Sequence, residues 1–158
     1  MKQLLFILLI LSASLVFGQN KCALKLESGT ANLQSKGIVE LTVTNTGNTK
    51  VRINTYYSPY RLQLENIREN SNSGENKIHY TADVDCFTDC IKKTVKLRPG
   101  QSYLYTVPIK ETIQYSKLLN GRNYTFNFFF DLIDLSPENC SISRPADEEI
   151  TYTKTSHE

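Results

Sequence analysis

Tryptophan is absent from the 158-residue sequence, and histidine occurs only twice. Without tryptophan there is no Cys…Trp…Cys core, which excludes an antibody-type domain. Two histidines leave little material for a base held against a nucleophile, or for a zinc site. Neither sign of charge is in excess: 18 Lys and Arg face 16 Asp and Glu. No basic patch stands clear of neighbouring acids, so a nucleic-acid surface has no electrostatic footprint. A basic amphipathic helix that would lie on a membrane is missing for the same reason. No apolar run approaches the roughly 20 residues of a membrane-spanning helix.

The longest apolar run, residues 4–11, stands near the start. Lys2 precedes it, and Ser12-Ala13-Ser14 and Val16-Phe17-Gly18 follow. Charge, apolar stretch and small-residue site occur in the order of a secretory signal peptide. Residues 1–18 are therefore expected to be removed after Gly18, leaving Gln19 first and exporting the protein to a periplasm or the exterior. Cys22 follows Gln19-Asn20-Lys21 rather than small apolar residues, so a lipid anchor is not expected. The remaining 158 − 18 = 140 residues suffice for one domain, 19–158. Its charge is 17 − 16 = +1 once Lys2 is gone.

That domain holds four cysteines, Cys22, Cys86, Cys90 and Cys140. In an exported chain an even count reads as two disulfides with three connectivities. The favoured pairing joins Cys86 to Cys90 in a tight loop and Cys22 to Cys140 across the domain. Zinc is disfavoured, because no second close pair of ligands accompanies Cys86 and Cys90.

Alternation at period two dominates the chain, the pattern of strands with one buried face. Residues 22–27 place Cys22, Leu24 and Leu26 on one side; residues 38–45 alternate through Val39, Leu41 and Val43. A turn at Thr46-Gly47-Asn48 leads to a short strand at 51–53. After Pro59, which cannot donate to a ladder, Tyr60, Leu62 and Leu64 read as inward. Residues 68–76 are polar and read as a mobile loop. Strand character resumes over 77–82, 94–97 and 102–109, the last with Tyr103, Tyr105 and Val107 on one face. Residues 111–119 have helical spacing. Asn120-Gly121 is a turn signal, and 124–132 is apolar on both faces at Phe128, Phe129 and Phe130, as a central strand would be. Residues 150–153 form the last strand.

About eight short strands and almost no helix predict an all-β, antiparallel, disulfide-stapled β-sandwich. A barrel is the alternative. The sandwich is favoured because 66–77 and 132–148 are long enough to cross between sheets.

Two segments carry a family resemblance. Residues 41–51 (LTVTNTGNTKV) end a strand in Asn-x-Gly, and residues 97–107 (LRPGQSYLYTV) open a later one with Leu-x-Pro-Gly-Gln-Ser. With residues 121–126 (GRNYTF), they resemble a bacterial Ig-like domain. The order is similar to the N-terminal accessory domain of deuterolysin-type zinc metalloendopeptidases, and to the proteinase-inhibitor domain described from Bacillus. The likeness covers about residues 38–130. It implies an Ig-like fold and a secreted peptidase as partner. No His-Glu-x-x-His follows in the sequence, so the peptidase domain itself is not expected.

Candidate chemistry is sparse. His157 lies close to the chain end, and His79 reads as an exposed strand residue. Asp83, Asp85 and Asp89 surround the Cys86–Cys90 loop as a solvated acidic cluster or a calcium site, without the glycine and closing glutamate of an EF-hand. Asn123 and Asn139 begin glycosylation sequons, the first in a strand expected to be buried. No catalytic residue, metal or cofactor is assigned. Tyr56, Tyr57 and Tyr60 cluster around Pro59 with Arg52 and Arg61 nearby, and Tyr and Arg anchor protein interfaces. The expected contact is Tyr57, Tyr60 and Phe87, with Arg61 as polar anchor. The sequence thus points to a secreted, non-catalytic protein-binding module, an inhibitor or accessory domain of a peptidase. A carbohydrate- or surface-binding accessory domain and a structural envelope component are the alternatives.

Overall fold

The structure, a computed structural model, describes residues 22–71, 74–77, 93–132, 135, 140–145 and 147–155. The signal peptide, the Cys86–Cys90 pair, His79, His157, Asp83, Asp85, Asp89, Phe87 and Asn139 lie outside the described residues.

The alternating segments form strands as the pattern requires. β1 (Ala23–Gly29) and β2 (Ile38–Asn45) pair antiparallel, Leu24 opposite Asn45 through Gly29 opposite Glu40. Between them runs the single turn α1 (Leu33–Lys36). It ends at Gly37, whose φ of 63° suits a residue without Cβ, and the Gly37 N–H closes on Leu33 O at 2.8 Å. β3 (Val51–Asn54) pairs with β6 (Thr94–Leu97) as a separate ribbon. β4 (Leu62–Ser71) and β5 (Gly74–Lys77) form a hairpin, and β7 (Ser102–Pro108) lies beside β2. β7 is entered through Pro99-Gly100, where Gln101 N–H reaches Arg98 O at 2.9 Å and Gly100 has φ 79°. That conformation excludes most side chains from the third position of such a turn. β8 (Arg122–Phe130), β9 (Ser141–Ser143) and β10 (Ile150–Lys154) complete the described strands.

Two four-stranded sheets result, in the orders β7-β2-β1-β9 and β10-β8-β4-β5. Their inward side chains form one core, with Leu24, Leu26, Leu41 and Val43 from the first sheet and Leu62, Leu64, Tyr124, Phe126 and Tyr152 from the second. The fold is an all-β sandwich. Cys22 and Cys140 are joined in a disulfide, Cα to Cα 4.7 Å. The bond holds the start of β1 beside β9, where Ser141 N–H donates to Cys22 O at 3.1 Å.

Several expectations need correction. Residues 68–71 and 74–76 are strand, not loop: Arg68 is opposite Lys77 and Ser71 opposite Gly74 in the β4–β5 pair. Polar residues suit this pair because β5 is the edge of its sheet, and the segment therefore does not cross between sheets. The 132–148 connection does cross, from β8 to β9, before the chain returns in β10. β9 runs parallel to β1, so the first sheet is not wholly antiparallel. The helical spacing over 111–119 gives two 3-10 turns, Ile109–Glu111 and Gln114–Lys117, rather than an α-helix. Of the strand expected at 77–82, Lys77 ends β5 and the remainder lies outside the described residues. β8 is central, as its aromatic run suggests, with β10 and β4 on its two sides.

β4 departs from simple alternation. Its pairing with β8 shifts between Glu65 and Arg68, and Asn66 takes a φ of 54°. The extra residue is a bulge. It lets Ile67, rather than Asn66, join Leu62 and Leu64 in the core.

Candidate functional site

Residues 55–61 link the β3–β6 ribbon to β4, and the order of residue types decides their shape. Asn54 accepts the Tyr56 N–H on its side chain at 3.2 Å. Pro59 opens a 3-10 turn, Pro59–Arg61, closed by Arg61 N–H on Ser58 O at 2.9 Å. Tyr57 is then carried inward, only 8% exposed, against the rings of Tyr105 and Phe130 at 5.9 and 6.3 Å. Its hydroxyl donates to Arg61 O at 2.8 Å, and Asp131 N–H donates to the same oxygen at 2.9 Å. Arg61 Nη1 meets Asp131 Oδ2 at 2.6 Å, with 11% of the arginine side chain exposed.

The other end of the segment is held from β6 and β7. The Thr55 N–H donates to Lys93 O at 2.8 Å, the Tyr103 hydroxyl donates to Thr55 O at 3.3 Å, and the Tyr105 hydroxyl donates to Asn54 O. Burial pushes the phenols of Tyr57 and Tyr105 well above the ordinary tyrosine range. The negative charge of Asp131 adds to the effect at Tyr57, and Tyr103 adds to it at Tyr105. These displaced groups are core rings capping backbone carbonyls, so the displacement reflects packing.

The expected contact set is therefore rearranged. Tyr57 belongs to the core, because the 3-10 turn directs it between the sheets. Arg61 is engaged by Asp131 and holds the segment rather than offering a free anchor. Tyr60, read as inward by alternation and also named in the expected contact, is 56% exposed, since β4 begins only at Leu62. Tyr56 is exposed to the same extent. No local signal separated Tyr56 from Tyr57, because alternation lapses where the strand ends. The structure thus leaves two tyrosine rings, Tyr56 and Tyr60, exposed on one short segment clamped at both ends.

A concavity opens between the two sheets. It encloses about 420 Å³ and is lined by Leu26 of β1, Glu65 of β4, Phe128 of β8 and Ile150 of β10, with Arg144, Asp147 and Glu148 of the β9–β10 connection. Arg144 places its Cζ 5.0 Å from the Phe129 ring centroid. This wall follows β9, whose pairing with β1 starts at Ser141, one residue after the Cys22–Cys140 bond. Spacing along the chain gave no hint of the cleft, since its walls are assembled from four distant strands.

Among the described residues, no group of three or more His, Cys, Asp or Glu is placed to hold a metal ion. No helix among them is long and apolar enough to cross a membrane. Asn123 is exposed at the start of β8, not buried as its strand suggested, and its side-chain oxygen accepts the Thr153 hydroxyl. No family model, no curated protein and no solved structure matches the chain.

Proposed function

We propose that the chain is an exported, non-catalytic protein-binding module that presents Tyr56 and Tyr60 to its partner. The observation that carries this reading is the exposure of both rings, 56% each, on a segment fixed from beneath by Tyr57 and by the Arg61–Asp131 pair. Tyrosine offers a large, rigid, amphipathic contact area with only two side-chain torsions to immobilise. A segment already ordered in the free protein also spares the cost of ordering on association. Export agrees with the disulfide between Cys22 and Cys140, a bond of oxidising compartments. The Ig-like resemblance over residues 38–130 makes a secreted peptidase the partner class to try first.

The test is binding of the purified protein to a panel of secreted metallo- and serine endopeptidases, with inhibition measured in parallel and a glycan array as the second arm. Tyr56→Ala and Tyr60→Ala should each weaken peptidase binding by roughly tenfold to thirtyfold while the melting temperature holds. Full affinity in the double variant would refute the proposed surface. Glycan capture that depends on the same two tyrosines, without peptidase binding, would replace this reading with the carbohydrate-binding one.

A further inference from the structure

We propose that the protein self-associates through the outer edge of β7, two copies of this strand pairing antiparallel about a two-fold axis at Leu104. The occupant of the edge is a second copy of this chain. The dimer does not depend on the tyrosine segment.

β7 ends the first sheet and pairs only with β2 among the described strands. The other three edges of the two four-stranded sheets each carry a feature that discourages further pairing. β9 is only three residues long, and β5 is four residues long and holds Glu75 and Lys77. The edge of β10 is occupied by the side-chain amide of Gln34. β7 has no such device. Its residues 102–107 (SYLYTV) are uncharged, contain neither proline nor glycine, and are rich in strand-forming types. Leu104 stands 52% exposed in the middle of them. A long uncharged edge with an exposed leucine invites another strand.

The register decides which strand fits. Ile109 N–H donates to Gly37 O at 2.8 Å, and Asn45 N–H donates to Gln101 O at 2.9 Å. Leu41 lies opposite Tyr105 between these two bonds. Antiparallel ladders alternate, so the odd-numbered residues of β7 are the ones bonded to β2. The N–H and C=O groups of Ser102, Leu104 and Thr106 therefore point away from β2. Pro108 has no N–H to offer and closes the edge at that end.

The groups left on the edge are symmetric about Leu104. A second β7 run antiparallel sets Ser102 opposite Thr106 of the second copy, Leu104 opposite Leu104, and Thr106 opposite Ser102. Each of these pairs exchanges two backbone bonds. Sliding one copy by two residues sets Thr106 opposite Gly100 in the turn, or Ser102 opposite Pro108, and bonds are lost. In the symmetric register no like charges meet. The two exposed leucines cover each other, and Ser102 faces Thr106, a hydroxyl pair that bonds across strands.

Sedimentation equilibrium of the purified protein should show a monomer–dimer equilibrium. A dissociation constant between about 10 μM and 1 mM suits one strand pair, an interface below standard size. Amide exchange at Ser102, Leu104 and Thr106 should slow as protein concentration rises, while Tyr103 and Tyr105, already bonded to β2, stay unchanged. Leu104→Lys sets two like charges across the axis and should weaken the dimer at least tenfold. Its side chain is exposed, so the melting temperature of the dilute protein should hold. Leu104→Cys should oxidise to a covalent dimer, because residues of a hydrogen-bonded pair lie about 5.5 Å apart, within disulfide reach. Ser102→Cys should not, since it is displaced from its counterpart by roughly 13 Å along the strand. Tyr56→Ala and Tyr60→Ala should leave the dimer intact, which separates this result from that of the partner-binding test. A protein still monomeric at about 1 mM, an undiminished dimer in Leu104→Lys, or equal cross-linking of Ser102→Cys and Leu104→Cys would each overturn the proposal. Slowed exchange at the three amides only on addition of a peptidase would give the edge to a foreign strand and overturn it as well.

Discussion

Gln34 and Thr153, 119 positions apart, are joined twice through one side-chain amide. The Gln34 Nε2 donates to Thr153 O at 3.0 Å, and the Thr153 N–H donates to Gln34 Oε1 at 2.9 Å. β10 is the edge of its sheet, and the glutamine fills the place where a further strand would pair. Open edges recruit other chains. Gln34→Ala should therefore cost about 1–2 kcal/mol and raise concentration-dependent self-association. Sedimentation velocity across a dilution series checks the second effect, and Gln34→Glu, which retains only the acceptor, should fall between the two.

Tyr57 separates the core from the surface of the clamped segment. Tyr57→Ala should cost about 3–5 kcal/mol, as large-to-small core replacements do. Tyr57→Phe, which keeps the rings packed and removes the bond to Arg61 O, should cost about 1 kcal/mol. Tyr56→Ala and Tyr60→Ala should leave stability within about 0.5 kcal/mol. Urea denaturation of the four variants reads all of these differences.

Alkaline pH should act through the same ring and Tyr105. Both phenols are buried in neutral form, and the folded protein holds their protons above the ordinary value of 10.0. The unfolded chain releases those protons first, so their contribution is complete below about pH 10 and declines as pH climbs beyond it. Each tyrosine should add a slope of about 1.4 kcal/mol per pH unit in that range. Denaturant midpoints measured from neutral to strongly alkaline pH should show a plateau and then a fall. Tyr57→Phe and Tyr105→Phe should each remove about half of the excess slope.

Asn45 is fully buried and uses its whole side chain. Its Nδ2 donates to Thr49 O at 2.8 Å and to Leu97 O at 3.0 Å, and its Oδ1 accepts the Gly47 N–H at 3.0 Å. These bonds tie the end of β2 to the β3–β6 ribbon. Asn45→Leu removes these three bonds, with the Gly47 N–H keeping Ala23 O at 3.1 Å, and should cost about 3 kcal/mol. Hydrogen exchange at residues 51–54 and 94–97 should accelerate more than exchange in β8 if the ribbon is what the asparagine holds.

Period-two alternation was sufficient for β2, where Val39, Leu41 and Val43 are all buried. It was insufficient wherever burial did not drive pairing. The β4–β5 hairpin is built from polar residues at a sheet edge, so no apolar stripe marks it. The bulge at Asn66 shifts the phase of β4, and only the burial of Ile67 discloses it. Among Tyr56, Tyr57 and Tyr60, the ring that turns inward is chosen by the 3-10 geometry at Pro59, which composition does not encode. Cysteine parity pointed to two disulfides with three connectivities, and the favoured Cys22–Cys140 bond is present. The cleft has no sequence signature, because its lining is drawn from both sheets and from the β9–β10 connection.

The Cys22–Cys140 bond also sets how the domain bears mechanical load. Tension applied ahead of Cys22 and beyond Lys154 enters the fold at the disulfide and is shunted past the chain between the two cysteines, whose separation is 118 residues. Most of the sandwich is thereby shielded. Only the stretch from Ser141 to Lys154 lies in the path of the force, so extension is limited to roughly 50 Å at about 3.5 Å per residue. β10 would peel from β8 and the wall of the cleft would be drawn out first, while the clamped tyrosine segment stayed in place. Reduction of the disulfide would turn this short tether into one spanning the whole domain.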